Sequence, residues 1–207
     1  MTEWNRDSTV TLAVTGASGA AYALRLLEQL IAADVRVWMM LSDAARIVME
    51  MEVDLSLPEA SHDVQKLFVE KFGAREGQLS LFEKGEWTSP VASGSSAPYA
   101  MVVCPCSMGT LSAIAYGSSD QLLERAADVM IKENKKLILV PRETPYSAIH
   151  LENMLKLSRI GVTILPPNPG FYHQPKSIDD LVDFVVARIL DQLGLERDFV
   201  QRWGSTT

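Results

Sequence analysis

Short apolar runs, each followed by an amphipathic stretch, alternate along the whole of this 207-residue chain, and that alternation constrains its fold more than any other feature. Residues 9–15 (TVTLAVT), 35–41 (VRVWMML), 79–82, 99–105 (YAMVVCP), 135–141 (KKLILVP) and 162–166 (VTILP) read as strands. Several are apolar without a break, as strands are when both faces of a sheet are covered. Helical patterns fill 19–33, 43–52, 58–73, 107–117, 122–133, 147–161 and 177–194. In the first of these, Ala23, Leu24, Leu27, Leu30 and Ile31 recur at helical spacing. Pro58 suits a helix entry and Gly161 a helix stop. The pattern predicts an α/β fold, a three-layer sandwich around a mostly parallel sheet of Rossmann or flavodoxin-like type. No linker or fixed repeat divides it, so one domain is expected over 1–207, with its core at about 9–194. Ligands of such sheets sit at the carboxyl ends of the strands, where the strand order reverses.

Several function classes are set aside by simple features. The net charge is −7, which argues against a nucleic-acid partner or an anionic membrane surface, since phosphate-rich partners need clustered Lys and Arg. The opening MTEWNRDSTV lacks the basic-then-apolar pattern of a signal peptide. No apolar run approaches the ~20 residues of a membrane span. Cys104 and Cys106 flank a single proline, too close for an ordinary structural disulfide, so reduced thiols and a cytoplasmic setting are expected. His62, His150 and His173 lie in separate segments without ligand spacing, so no metal site is expected. Neither G-x-S-x-G nor G-x-x-x-x-G-K-[ST] occurs, which counts against a serine hydrolase and a P-loop NTPase.

The turns that follow the strands carry the chemistry. TGASGAAY at 15–22 passes from strand through a tight turn into a helix, the arrangement that binds a phosphate at a helix N-terminus. The dinucleotide pattern G-x-G-x-x-G is absent, because Tyr22 stands where a small residue would approach a pyrophosphate. Gly16, Ala17 and Ser18 therefore suit a mononucleotide better; a tight turn that binds nothing is the plainer alternative. CPCSMGTL at 104–111 repeats the arrangement, with Ser107 as helix cap and Gly109 and Thr110 as donors. Ser42 ends a further strand at the same edge. Arg142 and Glu143 follow Pro141, where charges fall in the ligand crevice, and an Arg there suits a phosphate or a flavin carbonyl. GFYHQP at 170–175 either lines an apolar pocket or packs its loop onto the body. Asp179-Asp180-Leu181-Val182-Asp183 spells D-D-x-x-D, a magnesium-diphosphate motif of all-helical isoprenyl diphosphate synthases. In this α/β chain Ser177 and Asp180 instead make a helix cap.

Taken in order, TGASGA, SGSSAP, CPCSMGTL, LLERAADV, LVPRETP, IHLENMLKLS and PGFYHQP resemble the UbiX-like flavin prenyltransferases, formerly described as aromatic acid carboxy-lyases. The resemblance runs from about Thr11 to the last helix. It implies a flavoprotein that joins a dimethylallyl group to reduced FMN, giving prenylated FMN for a UbiD-type decarboxylase partner. By that resemblance Gly16, Ala17, Ser18, Ser42, Ser107, Met108, Gly109, Thr110 and Arg142 hold FMN. The donor, dimethylallyl monophosphate, falls to Lys132, Arg142, Tyr172 and Arg188, with Trp87 as an apolar wall. Some of these come from neighbouring subunits in the family, whose members form dodecameric homo-oligomers. The implied chemistry forms bonds to flavin N5 and C6 as phosphate leaves, needs no metal, and uses Ser18, Glu52 and Glu143 for proton transfer. Read from sequence alone, Glu52 is a solvated charge at a helix end, and Lys132 and Arg188 are ordinary polar-face residues.

Gln121, where relatives often carry Asn, and the bulky Tyr99 depart from the family pattern. An FMN-dependent cysteine-type decarboxylase is the nearest alternative, but it uses an early histidine, and none precedes His62. A non-catalytic flavodoxin-like FMN carrier is the alternative from another class.

Overall fold

The structure, a computed structural model, describes residues 4–195. The strands are β1 (Thr9–Val14), β2 (Arg36–Leu41), β3 (Leu79–Phe82), β4 (Ala100–Cys106), β5 (Lys136–Pro141) and β6 (Thr163–Ile164). The helices are α1 (Ala20–Ala32), α2 (Asp43–Val53), α3 (Ser61–Phe72), α4 (Met108–Tyr116), α5 (Leu122–Lys132), α6 (Ala148–Arg159) and α7 (Ile178–Leu193). The strands form one six-stranded sheet in the order β3-β2-β1-β4-β5-β6. Every pairing is parallel. The chain builds outward from β1 to β3, then crosses to the other side of β1 to lay down β4. That reversal opens a crevice above the β1 and β4 carboxyl ends.

Alternate side chains of the central strands feed separate cores. Val10, Leu12 and Val14 of β1, with Val102 and Cys104 of β4, pack under α1, α2, α3 and α7. Ala13, Met101, Val103 and Cys106 face the core under α4, α5 and α6. The outcome is the expected three-layer α/β sandwich. Both cysteines are free and fully buried, and burial pushes both thiols far up, so neither is a ready nucleophile. Across one outer layer, Arg25 of α1 grips Asp183 of α7 at 2.6 Å.

Local differences from the sequence pattern have physical reasons. The buried stripe of α1 takes Leu26, while Leu24 is only partly buried: Ala23, Leu26, Leu27 and Leu30 lie in the core, and Arg25 on the neighbouring side of the helix meets Asp183 of α7. Pro58 does not open α3; the helix begins at Ser61. The residues before it form no regular element; Leu55 and Leu57 pack on the core and the Pro58 carbonyl accepts from Arg46 at 2.6 Å. The last strand shrinks to Thr163–Ile164 at the sheet edge, although Leu165 N–H still donates to Leu139 O at 2.8 Å. The D-D-x-x-D stretch is structural here: Asp180 accepts from the Lys176 and Ser177 amides, and Asp183 holds Arg25. Tyr99 enters β4 at its amino end, bonded to the Arg6 and Thr9 carbonyls, and Gln121 is the exposed N-cap of α5. Tyr99 thus lies at the opposite end of β4 from the crevice, whereas the Gln121 end of α5 is bonded to Lys84 just past the carboxyl end of β3. No described helix is long and apolar enough to cross a membrane.

Candidate active site

The turn after β1 and the turn after β4 are sewn together by Thr15, a buried residue that the sequence reading passed over. Its hydroxyl donates to Pro105 O at 2.8 Å and accepts from Ser107 N–H at 2.8 Å, and its own N–H also reaches Pro105 O. A polar β-branched residue at the end of an apolar strand was the available signal. Thr15 fixes the distance between the two helix N-termini that border the crevice.

Gly16 and Ser18 are exposed on the first turn, whereas Ala17 is buried, so Ala17 offers the crevice only its backbone. Gly16 lies against the first turn of α2: a Cβ there would stand 2.3 Å from the Ala44 Cβ. Gly19 caps α1 at φ +127°, a conformation that L side chains rarely adopt, with the Tyr22 ring against it. Replacing Gly16 with alanine is therefore expected to lower unfolding stability by about 1–3 kcal/mol, since the overlap is with another packed element. Urea unfolding checks this, and an unchanged midpoint contradicts it.

The neighbouring hydroxyls are committed to capping. Ser42 Oγ accepts from Ala45 N–H at 3.1 Å at the start of α2. Ser107 Oγ accepts from Thr110 N–H at 3.3 Å and lies 3.0 Å from Thr110 Oγ1. Met108 turns its side chain into the core, while Gly109 is exposed. Ser42, Ser107, Gly109 and Thr110 thus border the same edge as Gly16 and Ser18.

Glu52 is the largest gain over the sequence reading. It sits in the last turn of α2, yet its Oε2 accepts from Gly19 N–H at 2.8 Å and Ala20 N–H at 2.9 Å. This carboxylate caps α1 from another helix. Burial pushes Glu52 up, but the Ser18 hydroxyl, the two amides and the charge of Arg142 outweigh it and hold Glu52 below the usual carboxylate range. A lowered folded value means that the capping contribution is fully present near neutral pH. It is lost as the pH falls through that value. Acid unfolding of Glu52→Gln should accordingly show a weaker dependence on pH than the parent protein; an identical acid limb contradicts the cap.

Arg142 follows β5, and its N–H donates to Cys106 O at 3.2 Å, so it stands between the β4 and β5 ends. Its Nε is buried and has no hydrogen-bond partner among the described residues. A buried guanidinium N–H left unmade is costly, and here it lies beside a crevice floored by hydroxyls and backbone donors. Glu143, next in the chain, accepts from Thr144 N–H at 3.1 Å. Ser18, Glu52 and Arg142 converge from the ends of β1, α2 and β5. Together they can hold an anionic or carbonyl-bearing ring system and take up a proton.

The remaining sequence candidates lie on other elements. Trp87 is 48% exposed in the loop after β3. Lys132 ends α5, pairs with Glu133 and lies over Gly94. It precedes β5, whereas Arg142 follows β5, so the strand's length of about 20 Å separates them. Tyr172 packs on Phe184 of α7, and Arg188, a turn further along α7, pairs with Asp191. Among the described residues no group of three or more His, Cys, Asp or Glu side chains could hold a metal ion.

Residues 2–190 match the Flavoprotein family. A flavin prenyltransferase UbiX from Pseudomonas aeruginosa is 57% identical over 195 residues, covering 94% of this chain and 93% of that one. The structure of AnUbiX (PadA1) in complex with FMN and dimethylallyl pyrophosphate superimposes with a TM-score of 0.85 at 38% identity, covering 98% of this chain and 100% of that one. A dodecameric FMN-dependent UbiX-like decarboxylase from Escherichia coli gives 0.83 at 41% identity, covering 95% and 100%.

Proposed function

Because the chain belongs to the flavin prenyltransferase UbiX family, we propose that its carboxyl-edge crevice receives reduced FMN and joins a dimethylallyl group to flavin N5 and C6. The enzyme is a prenyltransferase acting on FMN. The observation that carries the placement is the convergence of Ser18, Glu52 and the unsatisfied Arg142 Nε on one crevice.

In this reading Gly16 and Ser18, the Ala17 and Met108 backbones, Ser42, Ser107, Gly109, Thr110 and Arg142 hold the flavin. Reduced FMN, when bound, would supply the nucleophile: N5 would bond to C1′ of the donor as the C1′–O bond to phosphate breaks, and C6 would bond to the dimethyl-bearing carbon as the donor's double bond takes up a proton and C6 gives one up. Glu52 is ionised near neutral pH, so it serves as the proton acceptor at N5 through the Ser18 hydroxyl. Glu143 handles the proton at C6. Fixed cations support the departing phosphate of dimethylallyl monophosphate, namely Lys132, Arg142 and Arg188, with Tyr172 as a hydroxyl donor and Trp87 as a wall. Since Lys132 stands at the far end of β5, a second copy of the chain must supply it. A homo-oligomer, dodecameric like the Escherichia coli relative, meets that need. A UbiD-type decarboxylase in the same cytoplasmic compartment receives the product.

The division between flavin and donor residues is testable. Arg188→Ala should raise the KM for dimethylallyl phosphate about tenfold or more, the loss of one charge-assisted contact, and leave FMN affinity unchanged. Loss of FMN binding with donor KM unchanged contradicts the assignment.

A further inference from the structure

His173 is a buried-edge imidazole with no part in the chemistry described above. Its ring stacks on Phe184 with centroids 5.3 Å apart and an interplanar angle of 9°. Tyr172 stands edge-on to both, 5.7 Å from the His173 centroid and 5.8 Å from Phe184, each at 78°. The Gly170 backbone closes against the same rings: a Cβ there would meet both Phe184 and Tyr172 at 3.0 Å. The loop is thereby pinned to α7 one helical turn before Arg188. Of the two readings open for GFYHQP, packing onto the body describes the His173 side of the loop.

What the imidazole adds to a plain ring is a pair of nitrogens, and among the described residues neither makes a hydrogen bond. Nδ1 and Nε2 are both shut away from solvent and without a hydrogen-bond partner among the described residues. A histidine serving as base, ligand or hydrogen-bonded strut leaves at least one nitrogen engaged or accessible. We infer that His173 is a positioning residue that acts through its ring alone, bracing Tyr172 against Phe184 so that Tyr172 and Arg188 present one donor-binding face. The inference rests on the proposed role of Tyr172 and Arg188 toward the donor.

Steady-state kinetics with reduced FMN and dimethylallyl monophosphate separate the possibilities in the intact protein. His173→Ala should raise the donor KM about tenfold, the scale of a lost aromatic pair, with kcat and FMN affinity unchanged. His173→Phe should restore the parental KM and unfold at an equal or higher temperature, because it removes the two unsatisfied nitrogens. Should the alanine variant fail to fold, His173→Leu, which fills the volume without a ring face, decides in its place by the same criterion. An unchanged KM in the ring-less variant overturns the inference. So does a Phe variant as impaired as the Ala variant, since the nitrogens would then be the working part. A parallel fall in kcat and FMN affinity overturns it too. Tyr172→Phe tests the underlying reading separately. If that variant keeps the parental KM while His173→Ala does not, the ring brace stands and the Tyr172 hydroxyl loses its assigned contact.

Discussion

Arg142→Ala should reduce prenylated flavin formation by about 10²–10³-fold, the range seen when one preorganised electrostatic donor is removed from a reacting centre. The reason lies in the Nε, which is buried and without a hydrogen-bond partner among the described residues, on a residue whose backbone N–H is anchored to Cys106 O. Such a group loses nothing when an anionic or carbonyl oxygen arrives, because it has already left water. The side chain also sits within electrostatic reach of Glu52, so its removal weakens the force that keeps that carboxylate ionised. Arg142→Lys should recover only part of the activity: an ammonium restores charge but not the planar fork that places Nε. Initial rates, together with FMN titration, check both variants. A lysine variant with full activity shows that charge alone suffices, and an alanine variant within about twofold of the parent removes Arg142 from the site, since a lost donor costs far more.

Glu52→Gln separates capping from proton transfer in the same residue. Glutamine keeps one carbonyl oxygen to accept from Gly19 and Ala20, so the fold and the turn should persist. It cannot accept a proton, and loss of a positioned general base costs about 10²–10⁴-fold in rate. The expected result is a folded protein that binds both FMN and donor and forms product at least about 10²-fold more slowly. The pH profile adds a second readout. In the parent, the rate should fall as the pH drops through the lowered Glu52 value and the carboxylate is protonated; in Glu52→Gln that acid limb should vanish. An unchanged rate returns Glu52 to a purely structural cap.

The sheet, its parallel sense and the turn-borne crevice were legible because uninterrupted apolar runs and terminal Gly, Ser and Pro residues are local features. Arg142 was found from the same signal, a charge directly after a strand. Glu52 came from the resemblance alone, because its partners Gly19 and Ala20 lie more than thirty residues away and a helix-end glutamate looks solvated until α1 and α2 are packed together. Thr15 closes an apolar run, and its role exists only once β1 and β4 are neighbours. Lys132 shows the opposite limit. Resemblance nominates it, one chain leaves it at the amino end of β5, and on the proposed reading a further copy supplies it to Arg142. Pro58 misled because helix entry and the extended residue before a proline share the same local cue, and packing of Leu55 and Leu57 settled it.

The measurement closest to the central claim is anaerobic incubation of the protein with reduced FMN and dimethylallyl monophosphate, without added metal, followed by mass analysis of the released flavin. A flavin heavier by one C5H8 unit is the predicted result. Unmodified FMN, recovered from folded, flavin-bound protein after both the monophosphate and the diphosphate have been supplied, would contradict it and favour an FMN-dependent decarboxylase or a flavin carrier.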